Sequence, residues 1–341
     1  MAEVVLGLGT SHSPQLSTPS KYWGGYAERD YRDRHLVMDD GIVRNYEEVL
    51  AKAPPGLDRE ITPEKWEERY EACQQGVQRL SESLKKANLD ALIVIGDDQK
   101  EMFTDDNMPA VLVYWGEEFP ITPRPVFTAD DTEHAGAASM SELNAMALNS
   151  SSWAYGNSHQ VYPIKSDLSL HIIESLMDDE FDVAHARMMR ENQGMGHAFS
   201  FVCQRIMQDL PVPMVPIMLN TYFPPNQPSA HRSYALGQSI RKAVNLWPQD
   251  ARVGVMASGG LTHMVISEEL DRSVLNALRD RDVETLYSID RSVLQTGTSE
   301  ILNWVTTGGA TEHLDMHLID YVPCYRTMAG TGCAMGFAEW T

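Results

Sequence analysis

The sequence predicts an α/β fold, layered α/β/α around a central mixed sheet, in a single large domain spanning residues 1–341. Two observations carry that expectation. Short apolar runs recur along the chain with amphipathic helical segments between them, the pattern of a helix-covered sheet rather than of a bundle or sandwich. With 341 residues, 43% of them hydrophobic, the chain can bury one large core, and no repeat, low-complexity tract or clean linker divides it.

The first strand is Val4-Val5-Leu6, running into Gly7-Leu8-Gly9-Thr10-Ser11-His12-Ser13-Pro14. The polar stretch from Lys21 to Thr62, with Pro54-Pro55 inside it, reads as an insertion or lid, and with the helix after it forms a 21–87 segment. Thr62 as N-cap and Pro63 at the first helical position open a helix to about Ala87, with Trp66, Tyr70, Cys73, Val77, Leu80 and Leu84 on one face. Ala91 to Ile95 and Ala110 to Tyr114 read as strands, and residues 118 to 135 as a loop. Helical patterns follow at Ser141 to Leu148, Asp167 to Met177 and Ala198 to Gln208. Pro213 to Leu219 reads as a strand whose two prolines favour an edge or bulged position. Ser233 to Leu246 is a helix, Val253 to Ala257 a strand, and residues 267 to 306 mainly helical.

Lys and Arg number 27 against 48 Asp and Glu, a formal charge of -21. Such a surface repels nucleic acid and anionic membranes, so no nucleic-acid partner is expected. No apolar run approaches the ~20 residues of a membrane span, and no leader pattern opens the chain. Cys73, Cys203, Cys324 and Cys333 show neither CxxC spacing nor a disulfide framework. The expected setting is cytoplasmic.

Three polar clusters follow strands, and ligands of open α/β sheets bind beyond the carboxyl ends of strands. Ser258-Gly259-Gly260-Leu261-Thr262-His263 puts an imidazole just past a strand. Its glycines admit backbone angles or close approaches closed to other residues, and histidine suits proton transfer near neutrality. His12 lies just past the first strand and is a candidate metal ligand. Gly96-Asp97-Asp98-Gln99 is the third cluster; its carboxylates can hold a divalent cation, or the segment is an Asp-rich turn capping the next element. Glu300, in Ser299-Glu300-Ile301-Leu302-Asn303-Trp304, becomes a ligand only if geometry brings it to the others. His134 reads as a loop histidine, and the His313/His317 pair runs toward a strand rather than onto one helix face.

These segments, taken together, resemble the class III extradiol ring-cleavage dioxygenases of the protocatechuate 4,5-dioxygenase β-subunit type. The resemblance runs in order through the His12 segment, Tyr22-Trp23-Gly24, Asp97-Asp98-Gln99, Asn107-Met108-Pro109, Asp179-Glu180-Phe181-Asp182 and Gly196-His197-Ala198. It continues through Tyr222-Phe223-Pro224-Pro225, Tyr234 to Arg241, the His263 segment and the Glu300 segment. It implies opening of a small catecholic ring by O2 at a non-haem Fe(II) held by two histidines and a carboxylate, a ligand set that leaves open positions. By the resemblance, His12 is the first histidine ligand, Glu300 the carboxylate, His263 the acid/base group and His197 a histidine contacting substrate or oxygen. The family's second histidine ligand falls on Gln99, so Asp-Gln stands where Asp-His is expected. Fe(II) prefers imidazole to an amide carbonyl. The site is then a weaker iron site completed by Gln99, Asp98, Glu101 or water, a more oxygen-rich site for another divalent metal, or a cleft without oxygenation. A metal-dependent hydrolase or lyase using Asp97 or Asp98, or a metal-free protein binding a phenolic ligand, are the alternatives. The expected substrate contacts are Thr262 beside His263, Arg232 toward a carboxylate, and Thr331 in the C-terminal loop that the resemblance places near the substrate. A homodimer is expected, with the Lys21 to Thr62 segment or a second copy covering the site.

Overall fold

The computed structural model describes residues 1–123, 155–156, 158–190, 193–208 and 210–341. Its centre is a mixed sheet built from β1 (Glu3–Thr10), β4 (Ala91–Asp97), β5 (Val111–Tyr114), β8 (Ala184–Ala186), β9 (Met214–Leu219), β10 (Arg252–Ser258), β11 (His263–Val265), β12 (Met316–Tyr325) and β13 (Thr331–Trp340). Two small hairpins lie outside it, β2 (Leu36–Val37) with β3 (Val43–Arg44), and β6 (Glu118–Ile121) with β7 (Gln160–Pro163). The sheet order is β11-β13-β1-β10-β4-β9-β5-β8, with β12 also paired to β13. Strands β1, β10, β4 and β9 are mutually parallel, whereas β13 pairs antiparallel to β1 and β5 antiparallel to β9.

Period-two alternation explains the layers. Leu6, Leu8, Leu92 and Val94 face a core closed by Cys73, Val77, Leu80 and Leu84 of helix Pro63–Ala87. Val4, Ile93, Ile95, Val253 and Val255 face the opposite core, with Leu168 and Ile172 of helix Ser166–Asp178 and Leu236 and Ile240 of helix Ala230–Leu246. Helix Pro63–Ala87 begins as its sequence dictates, with the Thr62 hydroxyl accepting from the Lys65 amide at 3.2 Å and Pro63 in the first turn. It ends at Asn88, whose φ of 48° is left-handed.

Three expectations are corrected. Strand β9 is central rather than at an edge; its ladder to β5 covers only Ile217, Met218 and Leu219, so Pro216 lies where that ladder has ended and its missing N–H breaks no bond there. Residues 118–121 form strand β6, not loop. The helix expected over Ala198 to Gln208 is α-helical only over His197–Phe201 and continues as a π-helix, Val202–Met207. The helix expected at Ser141 to Leu148, and His134, lie outside the described residues. His313 and His317 do not form a pair: His313 Nε2 bonds the Val4 carbonyl at 2.8 Å, and His317 is exposed on β12. Among the described residues, no helix is long and apolar enough to cross a membrane.

Candidate metal centre and its cavity

Parallel register brings three strand ends to one level: Thr10 lies opposite Ser258, and Ser258 opposite Gly96. The residues just past those points, His12, Asp97 and the Gly259-Gly260 turn, therefore meet without any long loop. Glu300 arrives from the other side, at the junction of the 3-10 turn Thr296–Glu300 and helix Ile301–Thr311.

His12 Nε2 stands 3.3 Å from Glu300 Oε2 and 3.6 Å from Asp97 Oδ1, all three residues being buried. His197, on the first turn of helix His197–Phe201, places its Nε2 3.1 Å from His12 Nε2. His12, Asp97 and His197 each offer a ligand atom within 4.8 Å of the others. Glu300 Oε2 accepts from the Gly260 amide at 2.6 Å, and its Oε1 lies 3.2 Å from His263 Nε2 and accepts from the Gln99 amide at 3.3 Å. A side chain at position 260 would put its Cβ 2.7 Å from His263 Nδ1, and one at position 297 would overlap the His263 ring. Neither glycine has positive φ; both are needed for close approach, not for an unusual backbone angle.

The hydrogen bonds define which nitrogen of His12 is free. Ser258 Oγ donates to the Ala198 carbonyl at 2.6 Å, so toward His12 Nδ1, at 3.0 Å, it acts as acceptor. The Nδ1 then carries a hydrogen, and Nε2 is the nitrogen that faces Asp97 and Glu300. Asp97 Oδ2 is buried with no hydrogen-bond partner among the described residues. An imidazole nitrogen with two buried carboxylates within 3.6 Å of it, one of them with an unpartnered oxygen, is a donor set that a divalent cation takes, so the residues fit a metal. The charges agree. Burial pushes the Asp97 carboxyl up to about 6, and the nearby Glu300 charge adds to that rise. Burial also opposes ionisation of Glu300, yet His263 and His12 hold it well below the usual carboxylate range. Burial lowers His263, but Glu300 more than offsets it and raises the imidazole. The site thus holds anionic and cationic groups that balance one another.

Asp98, one residue beyond Asp97, plays the turn-capping part. Its carboxylate accepts from the amides of Glu101, Met102 and Phe103 at 3.2, 2.9 and 3.1 Å, facing away from the donor cluster. Glu101 accepts from the Tyr155 hydroxyl and lies 2.6 Å from His197 Nδ1.

A cavity of about 360 Å³ opens beside these groups, lined by His12, Gln99, His197, His263 and Glu300. Tyr26, Arg29, Asp30 and Asp33 from the early segment line it too, so that segment supplies cavity wall within the same chain. The expected substrate contacts fall elsewhere. Thr262 is buried with its hydroxyl donating to Asp271 Oδ2 at 2.7 Å. Thr331 donates to Asp30 Oδ2 at 2.6 Å. Arg232 lies away from the cavity, over the Phe181 ring at 3.8 Å and donating to the Glu180 carbonyl. Residues that sequence reasoning missed are Ser258, which orients His12, and Arg29. The Arg326–Asp30 ion pair, at 2.9 Å, was missed as well; it ties the C-terminal hairpin to the cavity wall. Only Ser258 left a sequence signal, being the last strand residue before the paired glycines.

With the geometry in place, comparison with known proteins is specific. The family described as the catalytic LigB subunit of aromatic ring-opening dioxygenase matches residues 53–335. Similar curated proteins include a gallate dioxygenase of Pseudomonas putida KT2440, 34% identical over 118 residues that make up 33% of each chain. Another is a 2,3-dihydroxyphenylpropionate/2,3-dihydroxicinnamic acid 1,2-dioxygenase of Comamonas testosteroni, 31% identical over 100 residues, 29% of this chain and 30% of the relative. The chain spans about a third of the length of these relatives.

Proposed function

Because the chain belongs to the family of catalytic LigB subunits of aromatic ring-opening dioxygenases, we propose that it is an Fe(II)-dependent extradiol dioxygenase that opens a catecholic aromatic acid with O2. The observation that carries this reading is the convergence of His12 Nε2 with Asp97 and Glu300 beside a cavity that is also lined by His263. His12 and Glu300 would hold the iron, with Asp97 within reach of it. A bound Fe(II) supplies a centre at which both catechol oxygens and O2 can sit as neighbours and through which ring electrons reach oxygen.

The remaining work falls to the protein's own side chains. His263 donates Nδ1–H to the Leu261 carbonyl at 2.9 Å, which fixes the ring and leaves Nε2 toward Glu300 and the cavity. Nε2 is then the atom that takes a proton from a catechol hydroxyl and returns one later. Sharing of the Glu300 charge with a cation weakens the pull that raises His263, bringing it nearer the range where it can act as a base. Gln99, donating to Glu300, steadies that carboxylate rather than standing as a donor atom toward the cation.

A lignin-type acid is the substrate class. The relatives' names, gallate and dihydroxyphenylpropionate, are hydroxylated aromatic acids, and a cavity of about 360 Å³ suits a single substituted ring. Arg29 lines that cavity and forms no ion pair among the described residues, so its guanidinium is free to meet a carboxylate. Four free, buried cysteines suit a reducing cytoplasmic setting. The assembly proposed is a homodimer, for which light scattering at the monomer mass would be the contrary result. The test of the reaction is anaerobic reconstitution with Fe(II), then O2 and a panel of catecholic acids. A yellow ring-opened product with one O2 consumed per ring is expected. Bound iron with no O2 uptake on any catechol, or turnover without O2, would remove the proposal.

A further inference from the structure

Gln99, two residues past the end of β4, turns its side-chain amide to Glu300 Oε1. A second imidazole nevertheless reaches the cluster. His197 Nε2 lies 3.1 Å from His12 Nε2, the rings meeting edge-on at 80° with centroids 4.5 Å apart. Two imidazole nitrogens each about 2.1 Å from one ion, at an angle near 90°, stand about 3.0 Å apart. The observed separation matches that of two ligands of a common ion.

The other nitrogens tell the same story. His12 Nδ1 is the donor toward Ser258, whose own hydrogen is committed to Ala198. His197 Nδ1 is 2.6 Å from Glu101 Oε2, an oxygen that also accepts the His197 backbone amide at 3.1 Å. A carboxylate held by a backbone amide and by the Tyr155 hydroxyl is a fixed acceptor, so His197 Nδ1 carries the hydrogen. The two Nε2 atoms, the nitrogens not engaged by Ser258 or Glu101, then face one another at 3.1 Å, where a cation bound by both would sit. A carboxylate gripping the far nitrogen of a ligating histidine is a recurrent way of aiming the ring and strengthening it as a donor. Asp97 also offers an oxygen within 4.8 Å of ligand atoms of His12 and His197, and its Oδ2 is buried without a partner among the described residues.

We propose that His197, aimed by Glu101, supplies the second imidazole ligand, so that the metal is held by His12, His197 and Glu300, with the Asp97 carboxylate beside it. Glu101 is a positioning residue that acts through His197. The assignment rests on the metal-centred reading above and concerns which side chains bind the ion, not what reaction follows.

The test is anaerobic titration of the metal-free full chain with Co(II), read by calorimetry for affinity and by electron spin echo spectroscopy for the number of bound imidazoles. Wild-type protein is expected to show two imidazoles. His197→Gln is expected to show one, with affinity lowered by at least about 100-fold, and Glu101→Gln to keep two with affinity lowered about 10- to 100-fold. A single imidazole in the wild type overturns the proposal without recourse to any variant, and so does wild-type affinity in a folded His197→Gln protein. Unchanged affinity in Glu101→Gln removes the positioning part. Two imidazoles in a protein that opens no catechol would defeat the proposed reaction and leave this ligand set standing, whereas ring opening with one imidazole would do the reverse.

Discussion

Replacing Ser258 by alanine tests how the site aims its first ligand. The Ser258 hydroxyl is fully buried, donates to the Ala198 carbonyl at 2.6 Å and accepts from His12 Nδ1 at 3.0 Å. Ser258→Ala leaves two buried polar groups without partners, each costing about 1–3 kcal/mol, so the metal-free protein should lose about 2–6 kcal/mol of stability. The second consequence is specific to the site. Without its acceptor, His12 is free to rotate or to move its hydrogen to Nε2, and loss of such a supporting bond lowers metal affinity about 10- to 100-fold. That range equals about 1.4–2.7 kcal/mol of binding. Urea unfolding of the metal-free protein measures the first quantity, and anaerobic calorimetric titration with Fe(II) measures the second. An Fe(II) affinity within twofold of wild type, in a variant whose stability has fallen as expected, would refute the argument that Ser258 fixes the His12 lone pair toward the ion.

Other expectations follow from single contacts. Gly297→Ala places a methyl group against the His263 ring, and kcat for ring opening should fall about 10²- to 10⁴-fold, the usual worth of a proton-transfer group, while Fe(II) still binds; unchanged kcat would show that His263 is not the proton carrier. Arg29→Met should raise KM for catecholic acids about tenfold or more and leave neutral catechols unaffected, a pattern that steady-state kinetics on paired substrates would reveal or deny. Asp271 is buried, and that burial pushes its carboxyl up to about 6 despite hydrogen bonds from Thr262 and Tyr321. A raised carboxyl favours folding in its protonated form, so its contribution is fully present below about pH 4 and lost as pH rises through about 6. The stability advantage of wild type over Asp271→Asn should therefore shrink by up to about 3 kcal/mol between pH 4 and pH 6; denaturant unfolding that shows the advantage growing over that range would contradict the burial argument.

Much of the site was legible because strands end where chemistry begins. His12 and His263 stand just beyond apolar runs, and the parallel register of β1, β10 and β4 turns that sequence position into proximity. Glu300 was not legible from its own surroundings; a buried helix-start glutamate looks like any other until Gly260 and His12 are placed against it. Adjacent Asp97 and Asp98 could not be told apart in sequence. The strand's last residue points into the site, and the next belongs to the turn, its carboxylate taken by three backbone amides. The partners of the Thr262 and Thr331 hydroxyls were not legible either: they are Asp271 and Asp30, the second of them 301 residues away in sequence. The C-terminal hairpin was largely invisible, since nine of the ten residues of β13 are buried and many are small, which removes the alternation that marks a half-exposed strand. Pro216 misled for a different reason: proline signals the absence of one ladder bond, and a central strand whose neighbour stops early meets that condition.

The account stands most directly on the fate of oxygen. Iron-reconstituted protein turning over a catecholic acid under ¹⁸O₂ should give a ring-opened product carrying both labelled atoms, observed by rapid mass spectrometry before exchange with water. Product that carries no ¹⁸O, its new oxygen having come from water, or that forms equally well without O2, would contradict a dioxygenase and point instead to metal-assisted hydrolysis in the same cleft.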